Sequence, residues 1–336
     1  MICLPLILSG CGNDKKNPKP KVNNVEDTIQ IGITFDTFVV ERWLRDRDVF
    51  VSTANDLGAE VNVQNANGSV EEQISQIRYF IDKAVDVIVI IAVDGSELLD
   101  VVTEAKEAGI KVIAYDRLIL NANVDMYISF DNEAVGRLMA ESLVENVPDG
   151  GNIFSICGPT SDNNVLMVDK GFREVIEGSN LKIVFQRNCD GWDAELAFGY
   201  VNEGLEETSD LTGVMCGNDD LASQAIRALS ENRLAGSVIL VGQDADLAAC
   251  QRIVEGTQEM TVFKPLDNLA KDAATYAVLL AKGETPDVPD TTIDDGTYEV
   301  PYMRLDPIAV TLENIDEVII DSGFHAREDV YLNVKQ

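Results

Sequence analysis

Several short apolar runs in this chain each end in a polar cluster, and the residue types in those clusters repeat. Asp36, then Glu41-Arg42-Trp43, follow the first run. Asp116-Arg117 follow the run at 111–115, Asp162-Asn163-Asn164 that at 152–158, and Asp190-Gly191-Trp192 that at 182–188. Asn218-Asp219, Gln243-Asp244 with Asp246, and Lys264 close the runs beginning at 213, 237 and 260. Nothing in the set pairs a nucleophile with a base, and the single histidine, His325, leaves little room for a His-based triad or metal site. The set does pair acceptors with donors. Asp accepts, Arg and Lys donate, Asn does both, and a hydroxyl donates once and accepts twice. Indole faces cover apolar C–H surfaces. Together these suit a neutral polyol. A lone strand-end Asp reads as a helix N-cap, which is the better reading for Asp219, and a lone Trp reads as core. The recurrence of the pattern is what favours a shared cleft.

The elements that must hold these clusters alternate. Strand patterns at 28–36, 59–66, 85–93, 111–116 and 126–131 are interleaved with helical patterns at 38–58, 69–84 and 95–109. The alternation then restarts with a helix at 132–147. Strands follow at 152–158, 182–188, 213–219, 237–244 and 260–265, with helices at 163–178, 193–208, 219–234, 245–256 and 266–284. Strands alternating with helices imply right-handed crossovers and parallel sheets. Two such series predict an α/β protein of two Rossmann-like lobes. Ligands of open α/β sheets bind beyond the carboxyl ends of the strands, where the polar clusters fall. The Pro- and Asp-rich stretch at 286–303 reads as a connection.

The 336 residues carry 58 acidic against 26 Lys and Arg side chains, a formal charge of −32. That charge disfavours nucleic acid and anionic lipid, and no basic helix-turn-helix pattern is present. Among the six cysteines there is no CxxC, which disfavours zinc or thioredoxin-like chemistry. No phosphate-cradling GxxxxGK[ST] occurs. No cofactor or metal is predicted.

Residues 1–11, MICLPLILSGC, are similar to the lipobox of bacterial lipoproteins, a short apolar run leading into Leu8-Ser9-Gly10-Cys11. That resemblance implies a signal peptide over 1–11, lipidation of Cys11 and attachment to the outer face of the cell membrane. The polar, Lys- and Pro-containing stretch that follows makes 12–27 a flexible tether.

Several motifs then occur in order: ERWLRDRDVF (41–50), VDVIVIIAVDG (85–95), KVIAYDRLI (111–119), YISFDNEAVG (127–136), SDNN (161–164), DGW (190–192), GND (217–219), GQDADLA (242–248) and VFKP (262–265). In this the chain resembles the extracytoplasmic sugar-binding proteins of bacterial ABC importers, the type I periplasmic binding proteins of the ribose/xylose-binding kind, from about residue 29 to 324. The resemblance implies two lobes joined by a three-crossover hinge. The first lobe would comprise 28–130 and 264–298, the second 131–263 and 299–336, with crossovers near Asp131, Lys264 and Tyr298. It implies that Arg42, Asp116, Arg117, Asp162, Asn164, Asn218, Asp244 and Lys264 bond sugar hydroxyls and that Trp43 and Trp192 sandwich the ring. It further implies a monomer that binds D-xylose or a close aldose without catalysis and delivers it to an ABC permease. A sensor presenting the sugar to a histidine kinase or chemoreceptor would use the same site. A glycoside hydrolase with paired carboxylates is the remote alternative.

Overall fold

A computed structural model describes residues 28–39, 42–286 and 291–334. The expected signal peptide, Cys11 and the whole of the tether lie outside the described residues.

The first lobe opens with β1 (Ile29–Phe35), α1 (Arg42–Asp56), β2 (Ala59–Asn65), α2 (Val70–Asp82), β3 (Val87–Ile90), α3 (Leu99–Glu107), β4 (Lys111–Tyr115) and β5 (Met126–Phe130). Strand β3 shows why the sheet sits in the middle. All four of its residues are buried, and successive side chains point to opposite faces. Val87 and Val89 join the cluster that holds Trp43, while Ile88 and Ile90 join the cluster under α2 and α3. Each such burial contributes about 1.5–3 kcal/mol before entropy is counted.

The second lobe runs through α4 (Asn132–Asn146), β6 (Gly151–Cys157), α5 (Asn163–Ile176), β7 (Leu181–Asn188), α6 (Ala194–Glu207), β8 (Leu211–Cys216), α7 (Asp219–Glu231), β9 (Ile239–Gln243), α8 (Leu247–Glu255) and β10 (Met260–Phe263). The chain then returns to the first lobe through α9 (Leu266–Ala281), whose Ala270, Ala273, Ala274 and Ala277 face the same core as α1. It adds β11 (Thr292–Asp294) and β12 (Glu299–Leu305) there, and crosses back to β13 (Ile308–Val310).

The first sheet has the order β2-β1-β3-β4-β5-β12-β11 and the second β7-β6-β8-β9-β10-β13. Both are parallel except for the antiparallel edge pairs β11–β12 and β10–β13. The fold is thus α/β with two parallel-sheet lobes and three crossings.

Two readings of the sequence need correction here. The stretch at 286–303 is not merely a connection: β12 pairs in parallel with β5, Tyr302 opposite Tyr127, and buries Val300 and Tyr302. Consequently the last crossing lies at 306–307, after Leu305, rather than near Tyr298. The first and last crossings are themselves bonded, Asp131 N–H to Leu305 O at 2.9 Å.

Candidate functional site

All ten residues singled out from the sequence line one cavity between the lobes. Arg42 and Trp43 stand at the start of α1, Asp116 and Arg117 follow β4, and Lys264 follows β10. Across the cleft, Asp162 and Asn164 stand at the start of α5, Trp192 ends the short turn after β7, Asn218 opens α7 and Asp244 follows β9.

The two lobes aim their central aspartates in the same way. Asp116 and Asp244 both leave their strands with positive φ, 63° and 97°, a strained conformation for a residue with a Cβ. In each case the N–H stays paired with the next strand, Asp116 to Ile128 O at 2.7 Å and Asp244 to Val262 O at 2.9 Å. The turn therefore swings the side chain into the cleft without breaking the sheet. Gly158 serves Trp192: a Cβ there would lie 2.3 Å from the indole.

A continuous web of charge crosses the cleft. Arg42 Nη2 meets Asp116 Oδ2 at 2.8 Å and Asp46 Oδ1 at 3.5 Å, and its Nη1 lies 4.0 Å from Asp244 Oδ1 on the other lobe. Arg117 Nη1 meets Asp36 Oδ2 at 2.7 Å, and its Nε meets Asp162 Oδ2 of the other lobe at 2.8 Å. Lys264 Nζ meets Asp244 Oδ1 at 2.7 Å. Asn164 Nδ2 donates to Asp116 Oδ1 at 2.8 Å, and Asn132 Nδ2 donates to Asn164 Oδ1 at 3.0 Å. Burial opposes the charge of Asp116, but Arg42, Lys264 and Arg117 outweigh it and hold the carboxyl below its usual range. Burial likewise opposes the Arg42 charge, and Asp116, Asp46 and Asp244 outweigh it.

Three cations, Arg42, Arg117 and Lys264, thus meet five carboxylates, Asp36, Asp46, Asp116, Asp162 and Asp244. Only Asp116, Asp162 and Asp244 of these line the cavity with the three cations, so the lining is charge-balanced and suits a ligand without net charge. Arg42 Nε, Trp43 Nε1 and Gln243 Oε1 are buried without a hydrogen-bond partner among the described residues. All three residues line the cavity, and orphaned polar atoms cost about 1–3 kcal/mol each. A ligand that donates and accepts would recover that cost.

Sequence reasoning left out part of the lining. Asn132 and Gln243 were visible as polar residues beside strand ends, and belong with the ten. Cys157, Val165, Val168 and Met215 also line the cavity, but in the sequence they look like core. At the start of α7 the roles divide. Asn218 is the cap, accepting from Leu221 N–H at 2.9 Å. Asp219, expected to cap, is instead buried and bonded to Thr261 at 2.6 Å and Gln258 at 2.9 Å.

The chemistry of the cavity is that of binding. The Cys157 thiol beside it is pushed up to about 11 by burial, far from a reactive thiolate. Among the described residues no cluster of His, Cys, Asp and Glu could hold a metal ion, and no helix is long and apolar enough to cross a membrane.

The family profile described as a periplasmic binding protein domain matches residues 31–285. The chain belongs to the periplasmic binding protein family. It is 45% identical over 308 residues to the D-xylose-binding periplasmic protein of Haemophilus influenzae, covering 90% of this chain and 92% of that protein. It is also 45% identical over 307 residues, with the same coverage, to the D-xylose-binding periplasmic protein of Escherichia coli. Among solved structures, an ABC transporter solute-binding protein from Clostridium phytofermentans with bound β-D-glucose superposes with a TM-score of 0.81. The two share 29% identity over 90% of this chain and 99% of that one. This periplasmic binding protein is therefore a solute-binding protein of the two-lobed type I fold and not an enzyme.

Proposed function

We propose that this periplasmic binding protein captures one molecule of D-xylose, or a close aldose, between its lobes outside the cytoplasm and delivers it to an ABC permease. The observation that carries this reading is the cavity itself: set between the lobes, hydroxyl-matched and lined by three cations and three carboxylates. The relatives named for D-xylose binding support the choice of sugar. In this reading Arg42, Asp116, Arg117, Asp162, Asn164, Asn218, Asp244 and Lys264 bond hydroxyls, and the Trp43 and Trp192 indoles cover the two faces of the ring. Ligand hydroxyls bridge donors and acceptors on both lobes and so favour the closed form. Closure excludes water and strengthens the charged hydrogen bonds. A monomer suffices for this. Lipidated Cys11 and the tether at 12–27 would hold the body near its permease, and Cys11→Ser would then move the protein from the membrane to the soluble fraction.

Equilibrium dialysis of the body, from about Val25 onward, against labelled D-xylose tests the reading. Asp244→Ala removes the partner of Lys264 and one partner of Arg42, so binding falls by about 100-fold or more while far-UV circular dichroism is unchanged. Wild-type affinity in Asp244→Ala would remove Asp244 from the site.

A further inference from the structure

Behind Arg42, away from the cavity, sits a carboxylate that the binding reading does not use. Asp46 lies one helical turn after Arg42 on α1, is 1% exposed and does not line the cavity. Its Oδ1 takes Arg42 Nη2 at 3.5 Å and also accepts the Tyr115 hydroxyl from the end of β4. Its Oδ2 has no hydrogen-bond partner among the described residues. Such a group is costly to bury, and an apolar side chain of similar size would fill the same space with less penalty. Packing alone therefore does not account for a carboxylate here.

What the carboxylate does have is direction. Arg42 Nη2 is shared between Asp46 behind and Asp116 beside, which leaves Nη1 turned to Asp244 across the cleft and Nε without a partner. The Arg42 guanidinium lies 4.3 Å over the Trp43 ring. We infer that Asp46, clamped by Tyr115, is a positioning residue that sets the direction of the Arg42 guanidinium and thereby tunes ligand affinity. This rests on the binding function proposed for the cleft.

The inference has a pH signature. The charged and titratable groups facing Asp46 are Arg42 on its own helix, with Tyr115 and Asp116 from the end of β4. Helix α9, which also packs on α1, sends Asp267 to Arg45 instead, at 2.7 Å. Burial pushes the Asp46 carboxyl up to about 6, against the opposing pull of Arg42 and of the Tyr115 hydrogen bond. Between pH 7.5 and 5 the group therefore gains a proton and becomes, in charge and shape, an asparagine. Because the folded value stands above the unfolded one, ionised Asp46 opposes folding at neutral pH, and that opposition fades as pH falls through about 6.

The test compares wild type, Asp46→Asn and Asp46→Leu by D-xylose titration from pH 7.5 to 5, with thermal melts alongside. At pH 7.5 Asp46→Asn binds about tenfold more weakly than wild type, and Asp46→Leu more weakly still. The Asn variant melts no lower than wild type. Its affinity is flat with pH, and wild type converges on it near pH 5. Equal affinities at pH 7.5, or a constant ratio across the range, would overturn the inference. A ligand-free reading separates this from the sugar question. Release of Arg42 from its anchor shifts wild-type Trp43 fluorescence with a midpoint near pH 6, and Asp46→Asn lacks the transition. Its absence from wild type overturns the role of Asp46 whatever sugar the cleft binds, while its presence without xylose binding overturns only the choice of ligand.

Discussion

Asp116 and Asp244 show at single-residue scale how the cleft is built. Each accepts backbone strain to turn its carboxylate away from the sheet, and each is then met by a cation, Arg42 at Asp116 and Lys264 at Asp244. Such an arrangement holds charge in place and pairs no nucleophile with a base, unlike a catalytic pair. The cysteines agree. Cys157, Cys189, Cys216 and Cys250 are all free and buried, and burial raises every one of their thiols, Cys157 to about 11 and Cys189 to about 12. In the body from Val25 onward, Ellman's reagent at pH 8 should therefore titrate no thiol within minutes under native conditions and four in denaturant. Rapid native reaction would contradict the burial. At this scale the sequence was legible where chemistry and position coincided: a charged residue at the end of an apolar run has few other uses. Val165, Val168 and Met215 gave no such signal, because an apolar residue that lines a cavity and one that fills a core have the same pattern in the chain.

Helices α4 and α5 carry Asn132, Asp162 and Asn164 at their N-termini, and two glycines set how closely they pack. A Cβ on Gly171 would lie 1.9 Å from Glu133 O, and one on Gly136 would lie 2.0 Å from Val168 O. Alanine favours a helix over glycine by about 1 kcal/mol, but a backbone oxygen at that distance cannot yield, so overpacking at about 1–3 kcal/mol or more decides the sign. Gly171→Ala should lower the melting temperature by roughly 5–10 °C and weaken ligand binding, because Asn132, Asp162 and Asn164 move with the helices. An unchanged melting curve would show that the pair has slack. The alternation of periods revealed most elements, since a buried parallel strand and an amphipathic helix look unlike each other. Strand β12 was hidden by Pro301 and by the Asp- and Gly-rich residues before it, which carry turn signals. Only two of its residues, Val300 and Tyr302, are buried, too few to declare a strand. The close packing of α4 and α5 was hidden too, because a glycine within a helix gives no hint of what presses on it.

Across the whole molecule the bonds that join the lobes are polar and buried: Arg117 to Asp162, Asn164 to Asp116, and Arg42 towards Asp244. The fully buried residues of each lobe's core do not depend on them, so opening would be a hinge motion at the three crossings rather than an unfolding. Small-angle scattering should show the radius of gyration falling on addition of ligand, and Arg117→Ala should lie further open than wild type without ligand. A radius unchanged by saturating ligand would contradict the hinge. The two-lobe architecture was legible because the strand–helix series restarts. The position of the last crossing was not, since it depends on which sheet β12 joins, and no local pattern records that choice. If the cleft holds one monosaccharide through its hydroxyls, binding is one-to-one and sugar-specific. Calorimetric titration of the body with D-xylose, D-ribose, L-arabinose and D-glucose tests it most directly. One-to-one binding is expected, with D-xylose tightest, and heat from none of the four would rule out monosaccharide binding in the cleft.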